Sequence, residues 1–446
     1  MSRWRWGLRR ERPGTDRQLA FGFLDRSRKR QRTFRIAVVL ATAAAVAGIL
    51  AASPVGRLGV VIAVHRARWA VRWTVGLRPT REEIEAETNL KREVGIDRTR
   101  AALADEIRLR GPILRRLFES TGMAPDSGVI RWGNYNGTLV LSSDVFEPDD
   151  NGRSYRLRPN TQSIWAIGLS LRGALCQFQV PDTPEARSAC AEAGGRLVPE
   201  SVQTTNSWGC RGPEPDLSAS LRGIVLGDSV MQGLLVSDDQ TPSICLEREL
   251  ARRTGLRTSV LNTGVLGYST EQYYFTFLQF LDRMKPNFVI VSLCGNDFYY
   301  ETSDGWDEPC YWLDRILQTC RQRELACLVV PWPGEDALLA TRDDSVYPGQ
   351  VSHRLKLAGT HYFYPVEAFA TEDMRVRLEW ETQSKGGNPS PLYNRRLAGD
   401  NHLSALGCAF WGRCVAERLH LILQRGGVLP TSRPTSKASS PIATGP

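Results

Sequence analysis

Short apolar runs and longer amphipathic segments alternate along the chain from residue 221 to residue 425. The apolar runs predict strands at 221–226, 259–262, 288–293 and 326–330. The amphipathic segments predict helices at about 241–253, 271–284 and 405–423. Strands that alternate with helices in this way form a parallel sheet with helices on both faces. We therefore expect a three-layer α/β/α domain over residues 216–426.

The segments that flank this domain have different compositions. Residues 126–215 are rich in turn residues and short β-like runs such as Thr138–Leu141, and they predict a small lead-in subdomain. Residues 57–125 are charged, partly aromatic and helical in pattern, which indicates a membrane-proximal stalk. Residues 427–446 are rich in Pro, Ser and Thr, so we expect a disordered tail.

The N-terminal part of the chain predicts a membrane anchor. Residues 1–35 hold twelve Lys or Arg against three acids, which accounts for the whole net charge of +9. Seventeen uncharged residues follow, Ile36–Ala52, and we assign a transmembrane helix to 36–56. The basic arm then lies in the cytoplasm and the rest of the chain on the far side. A signal peptide cleaved near Ala51-Ala52-Ser53 is the alternative.

The charge distribution also limits the partners. Because the basic arm accounts for the net charge, the remaining residues are close to neutral and we expect no nucleic-acid partner. The sequence has no phosphate-binding glycine loop and no cluster with metal-ligand spacing, so it predicts neither a cofactor nor a metal. Ten cysteines permit disulfides in an exported domain, and their connectivity is open.

Four motifs follow predicted strands or precede a predicted helix. They are Gly227-Asp228-Ser229, Asn262–Thr270, Cys294-Gly295-Asn296-Asp297 and Gly399–Ser404. In this order they resemble the SGNH (GDSL) hydrolases, a family of serine esterases named for a Ser, a Gly, an Asn and a His. The segment Asn206–Gly212 resembles the lead-in that many members carry. The resemblance spans roughly Tyr155 to Arg425 and implies the flavodoxin-like SGNH hydrolase fold.

The resemblance implies two sets of site residues. Ser229 is the nucleophile, His402 its base and Asp400 the carboxylate that orients the imidazole. The oxyanion hole consists of the backbone N–H groups of Ser229 and Gly267 and the side chain of Asn296.

Several residues compete for these roles. Gly264 is an alternative to Gly267, and Asp228 and Asp297 are alternatives to Asp400. The commonest family pattern has Asp three residues before His, whereas here the spacing is two, as in relatives that act on acylated polysaccharides.

The motifs and the predicted membrane anchor together predict an enzymatic function. We predict a serine esterase acting on O-acyl, chiefly O-acetyl, esters of an envelope glycan or lipid. An O-acyltransferase on the same substrates, a phospholipase, and a non-catalytic envelope binding or assembly protein that retains the fold are the alternatives.

Overall fold

The computed structural model describes residues 108, 112–123, 129–131, 139–149, 151, 153–171, 174–297, 307–335, 338, 355, 360–381, 390–394 and 402–429. The predicted basic arm, the anchor at 36–56, most of the stalk and all but the first three residues of the tail lie outside these residues. Among the described helices, none combines the length and the apolar character needed to cross a bilayer.

The lead-in part is built from one small sheet and two ribbons. Strands β1 (Val129–Arg131) and β2 (Leu139–Leu141) form one antiparallel ribbon, and β3 (Phe146–Asp149) and β4 (Ser154–Leu157) form another. The three-stranded antiparallel sheet has the order β6-β5-β7, with β5 at Gln162–Leu171, β6 at Ala174–Pro181 and β7 at Arg196–Thr204.

Two helices accompany this sheet. Helix α1 (Pro112–Ser120) ends the segment predicted as a stalk, and helix α2 (Pro184–Glu192) connects β6 to β7. Leu117 and Phe118 of α1 are buried in one apolar cluster with residues of β5, β6 and α2. The end of the predicted stalk segment is thus packed on the lead-in sheet.

A five-stranded parallel sheet forms the second part and confirms the predicted fold class. Its strands are β8 (Leu221–Leu226), β9 (Thr258–Asn262), β10 (Phe288–Leu293), β11 (Ala326–Pro331) and β12 (His361–Tyr362). Their spatial order is β12-β11-β10-β8-β9. Gly223 in β8 leaves room for the ring of Phe288 in β10, since a Cβ at Gly223 would lie 2.1 Å from that ring.

The strand order places the chain reversal between β8 and β10. The chain passes from β8 to β9 on one side and returns to β10 on the other, which is the 2-1-3-4-5 order of flavodoxin-like sheets. Open α/β sheets bind ligands at the carboxyl edge of such a reversal point. The segment after β8 therefore begins at the position where the fold favours a site.

The connecting helices cover the sheet in two groups. They are α3 (Ser229–Gln232), α4 (Pro242–Thr254), α5 (Thr270–Met284), α6 (Asp307–Gln322), α7 (Val366–Glu381) and α8 (Ala405–Arg425). Right-handed crossovers in opposite directions place α4 and α5 on opposite faces of the sheet. Helix α8 packs closely on α4, because Gly412 lies against the backbone of Cys245. Helices α5 and α6 pack together through Tyr274 and Trp312, whose ring centroids are 5.6 Å apart.

Candidate active site

The turn after β8 places Ser229 at the carboxyl edge of the sheet. A Cβ atom at Gly227 would lie 2.4 Å from Cγ of Met231, so this turn requires glycine. Asp228 caps helix α3 by accepting a 2.9 Å hydrogen bond at Oδ1 from the N–H of Val230. Ser229 is the first residue of that helix and is 7% exposed. The predicted nucleophile is thus held by a local cap and a tight turn.

The segment before helix α8 places His402. An antiparallel bridge joins Tyr393 to Leu403, and the N–H of Asn394 donates to the carbonyl oxygen of His402 at 2.7 Å. Ser404 then begins α8 as its N-cap residue. The backbone at His402 is therefore held by its pairing with Tyr393 and Asn394 just before the helix starts.

Ser229 and His402 meet in the folded chain. Oγ of Ser229 and Nε2 of His402 are 2.9 Å apart, although 173 positions separate the two residues. This distance is within the range over which an imidazole accepts a proton from a hydroxyl. The structure thus joins these two predicted site residues by a direct hydrogen bond.

Gly267 lies in a β-turn after β9. The N–H of Tyr268 donates to the carbonyl oxygen of Val265 at 3.1 Å and closes this turn. Gly267 is its third residue and has a φ of 73°, a left-handed value that favours glycine at this position.

Gly264, the alternative to Gly267, has a structural role of its own. A Cβ atom at Gly264 would lie 2.3 Å from the backbone nitrogen of Gln232 and 2.6 Å from the carbonyl carbon of Met231. Its N–H donates to Oδ1 of Asn262 at 3.0 Å. Gly264 is therefore needed for close contact with helix α3, and its N–H is engaged by the side chain of Asn262.

Of the two remaining predicted site residues, the structure describes only the backbone of Asn296 and no part of Asp400. The backbone of Asn296 lies in the short 3-10 helix Gly295–Asp297 directly after β10. Strand β10 is parallel to β8 and adjacent to it, so this helix shares the edge of the sheet with Ser229. The side chain of Asn296 and the whole of Asp400 lie outside the described residues, and their roles stay predictions.

Asp297 is buried, and its electrostatic state argues against a role beside His402. Burial and the nearby carboxylate of Asp228 raise the pKa of Asp297 well above its ordinary value. Its Oδ2 accepts hydrogen bonds from the N–H of Cys294 at 2.8 Å and from the hydroxyl of Tyr273 at 3.4 Å. A raised pKa makes a carboxyl group a weaker partner for an imidazolium, and the described hydrogen bonds of Asp297 go to Cys294 in the turn after β10 and to Tyr273.

Sequence reasoning missed the role of Arg211. Its side chain is fully buried and donates from Nη2 to the carbonyl oxygen of Val236 at 2.6 Å and from Nη1 to those of Gln232 and Gly233. Its Nε lies 3.0 Å from Oδ1 of Asp238. The motif around Arg211 was the only signal in the sequence, and it did not reveal that this arginine contacts the helix of Ser229.

A buried glutamine cluster was also missed. Nε2 of Gln232, in helix α3, donates to Oε1 of Gln179 at 2.8 Å and to Oε1 of Gln203 at 3.1 Å. Gln179 lies in β6 and Gln203 in β7, and all three side chains are almost completely buried. The lead-in sheet is therefore in direct contact with the helix that carries Ser229.

This arrangement suits acyl transfer through a serine. A hydroxyl bonded to an imidazole at the edge of a parallel sheet is the basic unit of nucleophilic catalysis by serine. In the part of the chain that the structure describes, no group of three or more His, Cys, Asp or Glu side chains is arranged to hold a metal ion.

Comparison with known proteins agrees with this assignment. Residues 225–409 match the model of the GDSL-like Lipase/Acylhydrolase family. The matched region contains both Ser229 and His402. The chain is an ester-hydrolysing enzyme. No curated protein matches the chain.

Several solved structures resemble it at low identity. A lipase/acylhydrolase from Enterococcus faecalis is 17% identical, with 48% of this chain and 99% of that chain covered and a TM-score of 0.32. A carbohydrate acetylesterase family member from Sinorhizobium meliloti is 12% identical, with coverage of 46% and 99% and a TM-score of 0.32. The psychrotrophic esterase EstA from Pseudoalteromonas sp. is 10% identical, with coverage of 46% and 97% and a TM-score of 0.32. At such TM-scores these likenesses carry no information about the substrate.

Proposed function

We propose that this protein is a serine esterase that works through an acyl-enzyme intermediate, with Ser229 as nucleophile and His402 as general base. The observation that carries the proposal is the 2.9 Å hydrogen bond between Oγ of Ser229 and Nε2 of His402 at the reversal point of the sheet. Asp400 orients the imidazole in this proposal, and Asp228 and Asp297 do not, because they serve the two strand-end turns.

The first half of the reaction transfers the acyl group to Ser229. Oγ attacks the ester carbonyl carbon while its proton moves to Nε2 of His402. The carbonyl oxygen becomes an oxyanion, which accepts hydrogen bonds from the N–H groups of Ser229 and Gly267 and from the side chain of Asn296. When the intermediate collapses, the bond to the leaving alcohol breaks and His402 returns the proton to that oxygen.

The second half regenerates the enzyme. His402 takes a proton from a water molecule, whose oxygen attacks the acyl carbon, and Oγ of Ser229 leaves with the proton from His402. If a sugar hydroxyl attacks in place of water, the same residues carry out O-acyl transfer. Hydrolysis and transfer therefore differ only in the acceptor that reaches the acyl-enzyme.

We further propose that the enzyme acts on acetyl esters of a glycan outside the cytoplasm. The basic arm at 1–35 and the uncharged run Ile36–Ala52 support an anchor whose N-terminus is cytoplasmic. The spacing of Asp400 and His402 matches relatives that act on acylated polysaccharides. The membrane anchor and the glycan are parts of one proposal, since an anchor of this orientation would present the domain to envelope polymers.

The catalytic part is tested with p-nitrophenyl acetate and the purified full chain. We expect activity that Ser229→Ala abolishes and that His402→Ala lowers by about three orders of magnitude or more. The matched control is Ser218→Ala, because Ser218 is exposed and lies before the amino end of β8, at the opposite edge of the sheet. Full activity in Ser229→Ala, or no fluorophosphonate labelling of the native chain, would favour the non-catalytic alternative.

The substrate and the location need separate experiments. Acetate release from an acetylated glycan, compared with fatty-acid release from phospholipid vesicles, distinguishes the glycan esterase from a phospholipase. Adding a non-acetylated glycan as acceptor and following its mass reveals acyl transfer. Protease protection of intact cells or vesicles decides on which side of the membrane the domain lies, and an accessible cytoplasmic domain would exclude the proposed topology.

A further inference from the structure

Both backbone polar groups of Leu266 are hydrogen-bonded, and its carbonyl group forms a peptide with the N–H of Gly267. The carbonyl oxygen of Leu266 accepts a 2.5 Å hydrogen bond from the hydroxyl of Tyr155. The N–H of Leu266, which belongs to the preceding peptide, donates to Oε1 of Gln232 at 2.6 Å. Tyr155 lies in β4 of the lead-in part, 111 positions before Leu266. The contact therefore joins two distant regions of the chain at the turn that carries the proposed oxyanion donor.

The orientation of this peptide decides where the N–H of Gly267 points. In a planar trans peptide the C=O and N–H bonds point in opposite directions. Leu266 and Gly267 are the two central residues of the β-turn, and the peptide between them has opposite orientations in turns of types I and II. Glycine at the third position permits both. A hydrogen bond to the Leu266 carbonyl therefore fixes the direction of the Gly267 N–H.

Tyr155 is well placed to act as a rigid donor. Its residue is completely buried, and its ring packs edge-on against Tyr268 at 5.4 Å and Phe146 at 6.0 Å between centroids. The hydroxyl of Tyr268 donates in turn to the carbonyl oxygen of Tyr155 at 2.5 Å. Because the backbone of Tyr155 is also paired with Pro148 of β3 and its ring is packed on two sides, its hydroxyl has little freedom to leave the Leu266 carbonyl even without the bond from Tyr268.

We propose that Tyr155 is a positioning residue for ester hydrolysis, whose hydroxyl holds the Leu266–Gly267 peptide so that the Gly267 N–H faces the oxyanion. The inference rests on the proposed function. It assigns the lead-in part a positioning role in catalysis, in addition to its role in packing. Tyr155 acts through Gly267 and need not touch the substrate.

The test compares two Tyr→Phe variants in the full chain. Tyr155→Phe removes the hydroxyl that contacts the Leu266 carbonyl, and we expect kcat to fall about tenfold to a hundredfold with little change in KM. Tyr268→Phe is the matched control, since it removes a hydroxyl from the same buried cluster without touching that carbonyl. We expect similar losses of thermal stability in the two variants and a much smaller loss of kcat in Tyr268→Phe.

A second measurement separates positioning from a general structural effect. In a thionoester the negative charge develops on sulfur, which is a weaker hydrogen-bond acceptor than oxygen. A misdirected N–H of Gly267 thus slows hydrolysis of an oxoester more than that of its thionoester. We expect Tyr155→Phe to lower the oxoester-to-thionoester rate ratio several-fold and Tyr268→Phe to leave it near the wild-type value.

Partial unfolding does not change the ratio, because both rates are measured on the same sample and fall by the same factor. An unchanged ratio in Tyr155→Phe would overturn the inference while leaving the esterase proposal intact. A native chain that hydrolyses neither ester, or that hydrolyses both equally well after Ser229→Ala, would instead overturn the proposed function.

Discussion

The guanidinium group of Arg211 lies at the carbonyl end of the short helix that begins at Ser229. It donates to the carbonyl oxygens of Gln232, Gly233 and Val236 and pairs with Asp238. A helix of four residues has too few internal hydrogen bonds to be stable alone. Arg211 supplies the missing partners at one end while Asp228 supplies the cap at the other. The position of the nucleophile thus depends on a residue of the lead-in part.

Arg211→Lys is expected to destabilise the fold and reduce turnover. One ammonium group cannot reproduce the fork of donors that serves three carbonyls and a carboxylate. Because Arg211 is fully buried and lies against an acid, we expect a loss of about 3 kcal/mol in the free energy of unfolding, measured in urea. Turnover of p-nitrophenyl acetate should fall as well, since Ser229 loses the support of its helix.

Arg257→Lys is the control for Arg211→Lys. Arg257 is 61% exposed and pairs with Asp216 at 3.2 Å, so the same substitution there should cost less than about 1 kcal/mol. Equal losses in the two variants would contradict the role assigned to Arg211.

Gly264→Ala is expected to displace the nucleophile. The new methyl group would lie 2.3 Å from the backbone nitrogen of Gln232, and backbone atoms of a capped helix cannot move aside easily. We expect a stability loss of about 1–3 kcal/mol from overpacking. A shift of Ser229 by about 1 Å would lower kcat roughly a hundredfold. Thermal unfolding and steady-state kinetics measure the two effects.

Gly334 offers a matched control for this substitution. A Cβ atom there meets no atom within 4 Å, so Gly334→Ala should leave both the melting temperature and kcat unchanged. Wild-type kcat in Gly264→Ala would show that the contact between the Gly264 turn and helix α3 does not fix Ser229.

The sequence predicted four strands of the central sheet because each contains an apolar run. Phe288–Leu293 is buried throughout, and its predicted and observed limits coincide. Strand β12 (His361–Tyr362) has only two residues, which are exposed or half-buried, so no hydrophobic pattern indicates it. Hydrophobic patterns thus identify buried strands and fail for short strands at the edge of a sheet.

The buried glutamines that contact the helix of Ser229 could not be predicted, for a different reason. Gln179 and Gln203 lie in strands of the lead-in sheet, where a polar side chain ordinarily indicates a solvent-facing position. Both have buried partners, since Gln179 accepts from Gln232 and donates to Ser163, and Oε1 of Gln203 accepts from Gln232 and Gln179. Such partners become visible only when the chain is folded, whereas Ser229 and His402 could be found from local motifs.

Asp297→Asn is expected to change how stability depends on pH. Burial and the charge of Asp228 raise the pKa of Asp297 in the folded protein. Above the unfolded pKa of about 4, the unfolded chain releases this proton while the folded chain retains it, so stability falls as pH rises toward the folded pKa. In that window Asp297 lowers the free energy of unfolding by up to about 1.4 kcal/mol for each pH unit.

The amide that replaces the carboxyl group in Asp297→Asn cannot ionise, so the variant does not lose this stability as the pH rises. We therefore expect the stability of Asp297→Asn relative to the native chain to improve from pH 5 to pH 8, as measured by urea unfolding at both values. A difference between the two proteins that is the same at pH 5 and pH 8 would show that Asp297 has an ordinary pKa.

Asp400→Asn tests which carboxylate orients His402. If Asp400 holds the imidazole, its replacement by an amide should lower kcat by about three to four orders of magnitude, as expected when the wrong tautomer is favoured. Asp228→Asn is the matched control, because asparagine caps a helix as well as aspartate and can still accept from the N–H of Val230. We expect it to retain most of the native kcat. If kcat fell more in Asp228→Asn than in Asp400→Asn, the orienting role would belong to Asp228. The charge of Asp228 would then matter more than its hydrogen bond to the N–H of Val230.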